Sequence, residues 1–389
     1  MNRSQIKSPR NRKEICQRAL SVPGWPAYNA PTSQTQNRIP VSSLRQQWRN
    51  PVAESNPAEP TARLIIHDLA RQNGPAEFAR DVLEGLSNKP RQLFPKYLYD
   101  ALGSQLFEAI CYVDEYYLTR TERQILTRHA DEIVASIPDC GTLIELGSGS
   151  AEKTRKIIEA LMRKQRELLF IPVDISASAL EESSRSLLQS YPGLTIRGYA
   201  ADYFDGLAAI KPLDGGPALA LFLGSNIGNF EKADAVAFLQ AIRSVLRRED
   251  ALLLGADLKK DRATLEAAYN DSLGVTRAFI VNELARINRE LGGDFDLWAF
   301  GLRSVYNEAA GRVEVYVESL RAQTVTIHGL NLSLSLDAGE RIHMEQSYKY
   351  SVDELAALAA QSGFELTRTW LDDESRFSSN LLLPRQPRS

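Results

Sequence analysis

Apolar and polar positions follow two regimes along the chain. Between 137 and 272, short apolar runs at 142–146, 168–174, 194–199, 218–224 and 250–256 have the length of strands. They are separated by stretches of helical spacing at 151–165, 177–190, 231–247 and 261–272. Apolar strands joined through helices imply a parallel sheet buried on both faces. Upstream, 61–136 reads as helices linked by short loops, among them A-E-F-A-R-D-V-L-E-G-L and T-E-R-Q-I-L-T-R-H-A-D-E-I-V. Downstream, a helix is expected at 276–291. Then R-V-E-V-Y-V-E-S-L, T-V-T-I-H and L-N-L-S-L-S-L alternate with a period of two over 312–336, which predicts a β-meander. A helix at 352–362 and strands at 364–371 and 378–383 restore the first regime. The expected architecture is α/β. A Rossmann-like sheet occupies 137–272 and is completed by 344–389. A second lobe combines the helical part, 61–136, with a β-rich insertion, 273–343. Ligands bind at the carboxyl edge of such sheets, here beneath the second lobe.

Residues 1–60 stand apart. They contain eight of the 18 prolines and show no hydrophobic periodicity, so they read as a flexible extension. The chain of 389 residues is 43% hydrophobic, enough for a large core. A net charge of −3 gives no field that favours nucleic acid or an anionic membrane. No apolar run approaches the roughly 20 residues of a membrane span, and the basic amino terminus carries no signal-peptide core. Cys16, Cys111 and Cys140 form no CxxC motif, which suits a reducing cytoplasm. The four histidines show no i, i+4 pair, and no metal site is expected.

Candidate chemistry begins at G-T-L-I-E-L-G-S-G-S (141–150), a strand ending in a glycine turn. Gly147 and Gly149 let the backbone turn tightly and approach a ligand. Asp174 follows 27 residues after Gly147, at the end of the next strand, and Asp202 follows the third in Y-A-A-D-Y-F. Glu152 stands where a dinucleotide turn needs its third glycine, which disfavours NAD or FAD, and there is no P-loop. S-adenosylmethionine (SAM) fits better. It brings no phosphate, and a carboxylate such as Asp174 can accept from both ribose hydroxyls. Each aspartate could instead cap a helix or shape a turn.

Longer strings then coincide: F-P-K-Y-L-Y-D-A-L-G-S-Q-L-F-E-A-I (94–110), D-E-Y-Y-L-T-R-T-E (114–122), E-L-G-S-G-S-A-E-K-T (145–154), F-L-G-S-N-I-G-N-F (222–230), A-A-Y-N-D (267–271) and M-E-Q-S-Y-K-Y-S (344–351). From about 63 to 384 the chain resembles the histidine Nα-methyltransferase family of ergothioneine biosynthesis. The resemblance implies a class I methyltransferase sheet and a SAM-dependent N-methylation of an amino acid, with histidine as the expected substrate. It places SAM on Gly147 and Gly149, its ribose at Asp174, its adenine at Asp202 and Tyr203, and its methionine end at Lys153. It assigns the substrate carboxylate to Asn229 and Tyr269, the imidazole to Glu345 and Ser347, and the pocket lining to Tyr99, Phe107 and Tyr116. Tyr99, Asn229 and Tyr269 are the candidate catalytic residues. Without the motifs, Lys153 would read as an exposed helix lysine, Glu345 as a solvent-facing strand residue and the aromatics as core. Val315 departs from the longer apolar residue of some relatives and opens the substrate pocket. Arginine, a tryptophan derivative, or a catalytically silent binding role are the alternatives. The expected partner is a small molecule, and a cytoplasmic monomer is expected.

Overall fold

The computed structural model describes residues 63–69, 74–210 and 216–385, so the extension of 1–60 lies outside the described residues. The described residues belong to one compact unit, Ala58–Ser389. Its strands are β1 (Leu64–Asp68), β2 (Thr142–Leu146), β3 (Leu168–Asp174), β4 (Leu194–Ala200), β5 (Ala218–Phe222), β6 (Ala251–Asp257), β7 (Phe300–Asn307), β8 (Arg312–Ser319), β9 (Gln323–Ile327), β10 (Leu332–Leu336), β11 (Arg341–Tyr348), β12 (Phe364–Leu371) and β13 (Phe377–Pro384). The main sheet has the order β1-β4-β3-β2-β5-β6-β13-β12. Its strands run parallel from β1 to β6, and β13 and β12 are antiparallel additions.

Burial on both faces explains the composition of the central strands. Every residue of β2, β5 and β6 is buried. Leu143 packs on one side with Ile125, Leu126 and Ile157, from helices Leu118–Ala135 and Thr154–Met162. Ile144 packs on the other with Phe238 and Leu355, from helices Lys232–Val245 and Val352–Gln361. Strand order reverses between β2 and β5. Loops on either side of such a reversal diverge and leave a crevice at the carboxyl edge. No helix among the described residues is long and apolar enough to cross a membrane.

Two expectations change. The segment expected to open a helical part begins with a strand: β1 pairs parallel with β4, from Leu64↔Ile196 to Asp68↔Ala200. Its alternating half-buried and exposed positions suit a sheet edge. The strand positions of 312–336 hold, but they do not form a meander. β8 pairs with β7 and β11, and β9 pairs with β10 in a separate sheet. β8 is buried along most of its length and so takes a neighbour on each side. β11 lies across the expected boundary at 344 and pairs with β8 from Arg341 to Tyr348.

Candidate active site

The first half of the site is the turn after β2. Gly147 (φ +77°), Gly149 (φ +48°) and Ala151 (φ +56°) all adopt left-handed backbone, so the helix expected from 151 starts only at Thr154. A Cβ on Gly147 would lie 2.9 Å from the Tyr203 hydroxyl and 3.2 Å from Asn226 Nδ2, whereas Gly149 faces open space. Asp174 Oδ2 accepts from the Gly149 amide at 2.8 Å and Oδ1 from the Ser176 amide at 2.9 Å. Each oxygen keeps a lone pair, and burial pushes the carboxyl up while those amides oppose it. Asp202 caps helix Tyr203–Ala209 by accepting from the Asp205 amide at 2.9 Å. Tyr203 packs among Phe222, Phe230 and Phe238.

These residues fit SAM on physical grounds. The turn is open where Gly149 stands, and two buried polar atoms beside it, Glu145 Oε2 and Ser148 Oγ, have no protein partner. Glu145 is the last residue but one of β2. Thr154 Oγ1 donates to its Oε1 at 2.5 Å, and burial pushes its carboxyl up to about 8. Its Oε2 is left without a protein partner, and the sequence pattern did not single this residue out.

Lys153 is not an exposed helix lysine. Its Nζ pairs with Glu122, which is completely buried and accepts from the Gly224 amide at 3.0 and 2.9 Å. Gly255 of β6 makes the room, because a Cβ there would overlap Glu122 Oε1. Gly224 (φ +75°) and Ser225 (φ +60°) form a second left-handed turn, at the end of β5. Glu122 therefore ties the loops after β2 and β5 together across the switch point.

The second half is a cleft of about 520 Å³, counting its open mouth. Tyr99, Phe107, Tyr116, Asn229, Tyr269, Glu345 and Ser347 all line it, as does Val315. The Gly147, Gly149, Lys153, Asp174, Asp202 and Tyr203 set stands outside this lining, and the Gly224–Asn226 turn is the wall between the two halves. Helix Ala101–Ile110 carries Phe107. Its cap, Asp100, is held by Asn282 Nδ2 at 2.7 Å and Arg289 at 2.8 Å from helix Val275–Leu291. That second helix adds Thr276, Phe279 and Ile280 to the lining, three residues the sequence reading missed. Phe279 joins the aromatic wall with ring centroids 5.4 Å from Tyr99 and 5.9 Å from Phe107. Asn229 closes the turn after β5, where a Cβ on Gly228 would lie 3.1 Å from Ser347 Oγ. Glu345 and Ser347 are two apart on β11 and so share a face.

Charge inside the cleft is one-sided. Burial pushes Glu345 up to about 7, opposed by the nearby Lys349 cation. Burial, with Glu345, Tyr203 and Asp174 adding to it, holds the Tyr99 phenol far above its ordinary range. Tyr116 is raised mainly by the same desolvation. Behind the cleft, Lys349, Asp257, Lys260 and Tyr117 form a buried polar cluster that the sequence did not announce.

A family profile described as histidine-specific methyltransferase, SAM-dependent, matches residues 78–384. The chain is 39% identical over 317 residues to the histidine N-alpha-methyltransferase of Mycolicibacterium smegmatis, covering 82% of this chain and 98% of that protein. It is 36% identical over 291 residues to ergothioneine biosynthesis protein 1 of Neurospora crassa, covering 72% of this chain and 32% of that protein. N-methyltransferase imqF of Aspergillus flavus is 26% identical over 355 residues, covering 88% of this chain and 95% of that protein.

Proposed function

The chain belongs to the histidine-specific, SAM-dependent methyltransferase family, and from that premise we propose that it methylates the α-amine of L-histidine to the trimethylated betaine, hercynine, the first step of ergothioneine biosynthesis. The observation that carries the substrate is Glu345 beside Ser347 on one face of β11, both lining an aromatic cleft. An imidazole needs one acceptor for its ring N–H and one donor for its bare nitrogen, and a carboxylate beside a hydroxyl supplies both. Asn229 and Tyr269 hold the carboxylate. Asp174 takes the ribose, Asp202 and Tyr203 the adenine side, and Lys153 with Glu145 the methionine end.

Bound SAM supplies a methyl group already activated on a sulfonium. The chain's part is alignment, which can be worth roughly 7–11 kcal/mol. The amine must shed its proton before each transfer. Tyr99 and Tyr116 stay protonated, so they act as hydrogen-bond partners and the proton leaves to water. Their rings, with Phe107 and Phe279, face the site where positive charge accumulates, and each can stabilise a quaternary ammonium by about 0.5–2 kcal/mol.

Val315 favours a second reading. It lies directly opposite Glu345 in the strand register and is small, which leaves room for a larger amino acid such as a tryptophan derivative. An indole would leave the Glu345 carboxylate without a partner, and that cost weighs against it. Mass spectrometry of purified enzyme with SAM and an amino-acid panel decides: histidine carrying one, two and then three added methyl groups is expected. Methylated tryptophan with untouched histidine would reverse the assignment. Cys111 and Cys140 are free thiols, which suits a reducing cytoplasm. Residues of a single chain line the cleft, and the monomer is the proposed active form.

Asp174→Ala should weaken SAM binding about 10- to 100-fold, the loss of one or two hydrogen bonds to a charged group. The melting temperature should fall only a few degrees, because of the two amides it leaves the Gly149 one lies at the open turn. Titration calorimetry measures the first; unchanged affinity would move the ribose elsewhere.

A further inference from the structure

Behind the cleft lies a buried ammonium that these roles leave unused. Lys349 follows β11 by one residue, and its side chain is 0% exposed. Its Nζ donates to the Tyr269 hydroxyl at 2.8 Å and to Ser347 Oγ at 2.8 Å, and it lies 2.9 Å from Asp257 Oδ2. An ammonium carries three protons and no lone pair. Three acceptors surround this one, so no proton remains for a ligand. The two hydroxyls also bond to each other at 2.9 Å. Each already accepts a lysine proton, and their mutual bond uses only one of their own two protons. The other proton has no partner within the cluster, and both hydroxyls belong to residues that line the cleft. With Tyr269 donating, Ser347 Oγ accepts twice and its own proton is the spare one.

We infer that Lys349 is a positioning residue that makes this corner of the cleft a proton donor, so that it takes a carboxylate oxygen or a bare ring nitrogen and refuses an N–H. The inference rests on the amino-acid reading of the cleft and deepens it. Glu345 is the acceptor on the same strand face, and the corner is its complement. With one proton to give, the corner either fixes one orientation of an imidazole ring against Glu345 or takes an anionic main-chain end. The arrangement survives loss of the lysine electrostatically. Asp257 also accepts from Tyr117 at 2.8 Å and pairs with Lys260 at 2.6 Å, so it keeps a cation without Lys349.

The test is calorimetric binding of histidine to enzyme saturated with S-adenosylhomocysteine, in four proteins: wild type, Lys349→Met, Tyr269→Phe/Ser347→Ala, and the triple variant. Lys349→Met should weaken histidine at least tenfold and leave S-adenosylhomocysteine within twofold. In the background without the hydroxyls, the same substitution should cost less than twofold, because nothing remains to orient. An equal loss in both backgrounds overturns the inference, as does unchanged histidine affinity or a parallel loss of S-adenosylhomocysteine. If circular dichroism finds Lys349→Met unfolded, Lys349→Gln replaces it. A folded Gln variant that binds histidine at wild-type strength overturns the inference too. Failure of the substrate reading looks different: wild type itself then ignores histidine, and the same four proteins are compared with the amino acid that the panel identifies.

Discussion

Glu345→Ala should lower kcat/KM for histidine about 100-fold, while SAM affinity changes by less than threefold. A hydrogen bond to a charged group is worth about 1.5–3 kcal/mol, and its loss here also strands the imidazole N–H. The companion Glu345→Gln should show what the carboxylate costs the empty protein. Burial raises this group from 4.5 to about 7. A carboxyl whose folded value lies above its unfolded one favours the protonated protein. The cost of ionising it is absent below pH 4.5, grows between pH 4.5 and 7, and is complete above. Half-buried as the side chain is, that cost is on the order of 2 kcal/mol. The ligand-free Gln variant should therefore melt higher than wild type at pH 8 and level with it near pH 4.5. A melting difference that does not change with pH would show that Glu345 is neither strained nor poised. Equal damage to histidine and SAM binding in the Ala variant would make the residue structural.

What could be read from the sequence was whatever rests on a local pattern. The central strands were legible because a strand buried on both faces must be apolar throughout, and β2, β5 and β6 are. The glycine turn was legible because its backbone angles exclude most other residues. The seven motif-borne residues assigned to the substrate line one cleft, and the six assigned to SAM lie outside its lining. What escaped depends on partners far along the chain. β1 is a five-residue edge whose only strand partner among the described residues is β4, about 130 residues later. β7 mixes Gly301, Arg303 and Ser304 into its run, and it is a strand because β8 needs a second neighbour.

The missed polar residues share one cause. Glu122, Asp257 and Lys349 are charged, and charged side chains are normally placed at the surface. Each is fully buried here and held by groups from separate elements. Asp257 alone meets Tyr117, Lys260 and Lys349. A periodicity argument sees a polar letter at an inward position and cannot supply the partner that satisfies it. One local signal was available: Gly255 interrupts an otherwise apolar strand, A-L-L-L-G-A-D, and an interior strand glycine marks the close approach of another group.

That glycine and the carboxylate it admits should give a large stability effect. Glu122→Ala leaves the Lys153 ammonium and the Gly224 amide facing a void instead of a carboxylate. Removing one member of a buried ion pair costs about 3–5 kcal/mol, because the charge left behind has lost its water and gained nothing. In a domain of this size the melting temperature should fall by roughly 5–15 °C. Gly255→Ala should act alike from the other side, since its Cβ would occupy the place of Glu122 Oε1 within a central strand. Both variants should also bind SAM more weakly, because Glu122 fixes the spacing of the turns after β2 and β5. The control is Glu122→Gln/Lys153→Met, which removes both charges and keeps most of the volume. If the buried pair is the reason, this double variant melts well above Glu122→Ala although it carries one more substitution. Differential scanning calorimetry ranks the four proteins. A Glu122→Ala variant that melts within 2 °C of wild type, on the scale where one kcal/mol moves such a domain by about that much, would show that water or another group satisfies Lys153. The link between the two turns would then have to lie elsewhere.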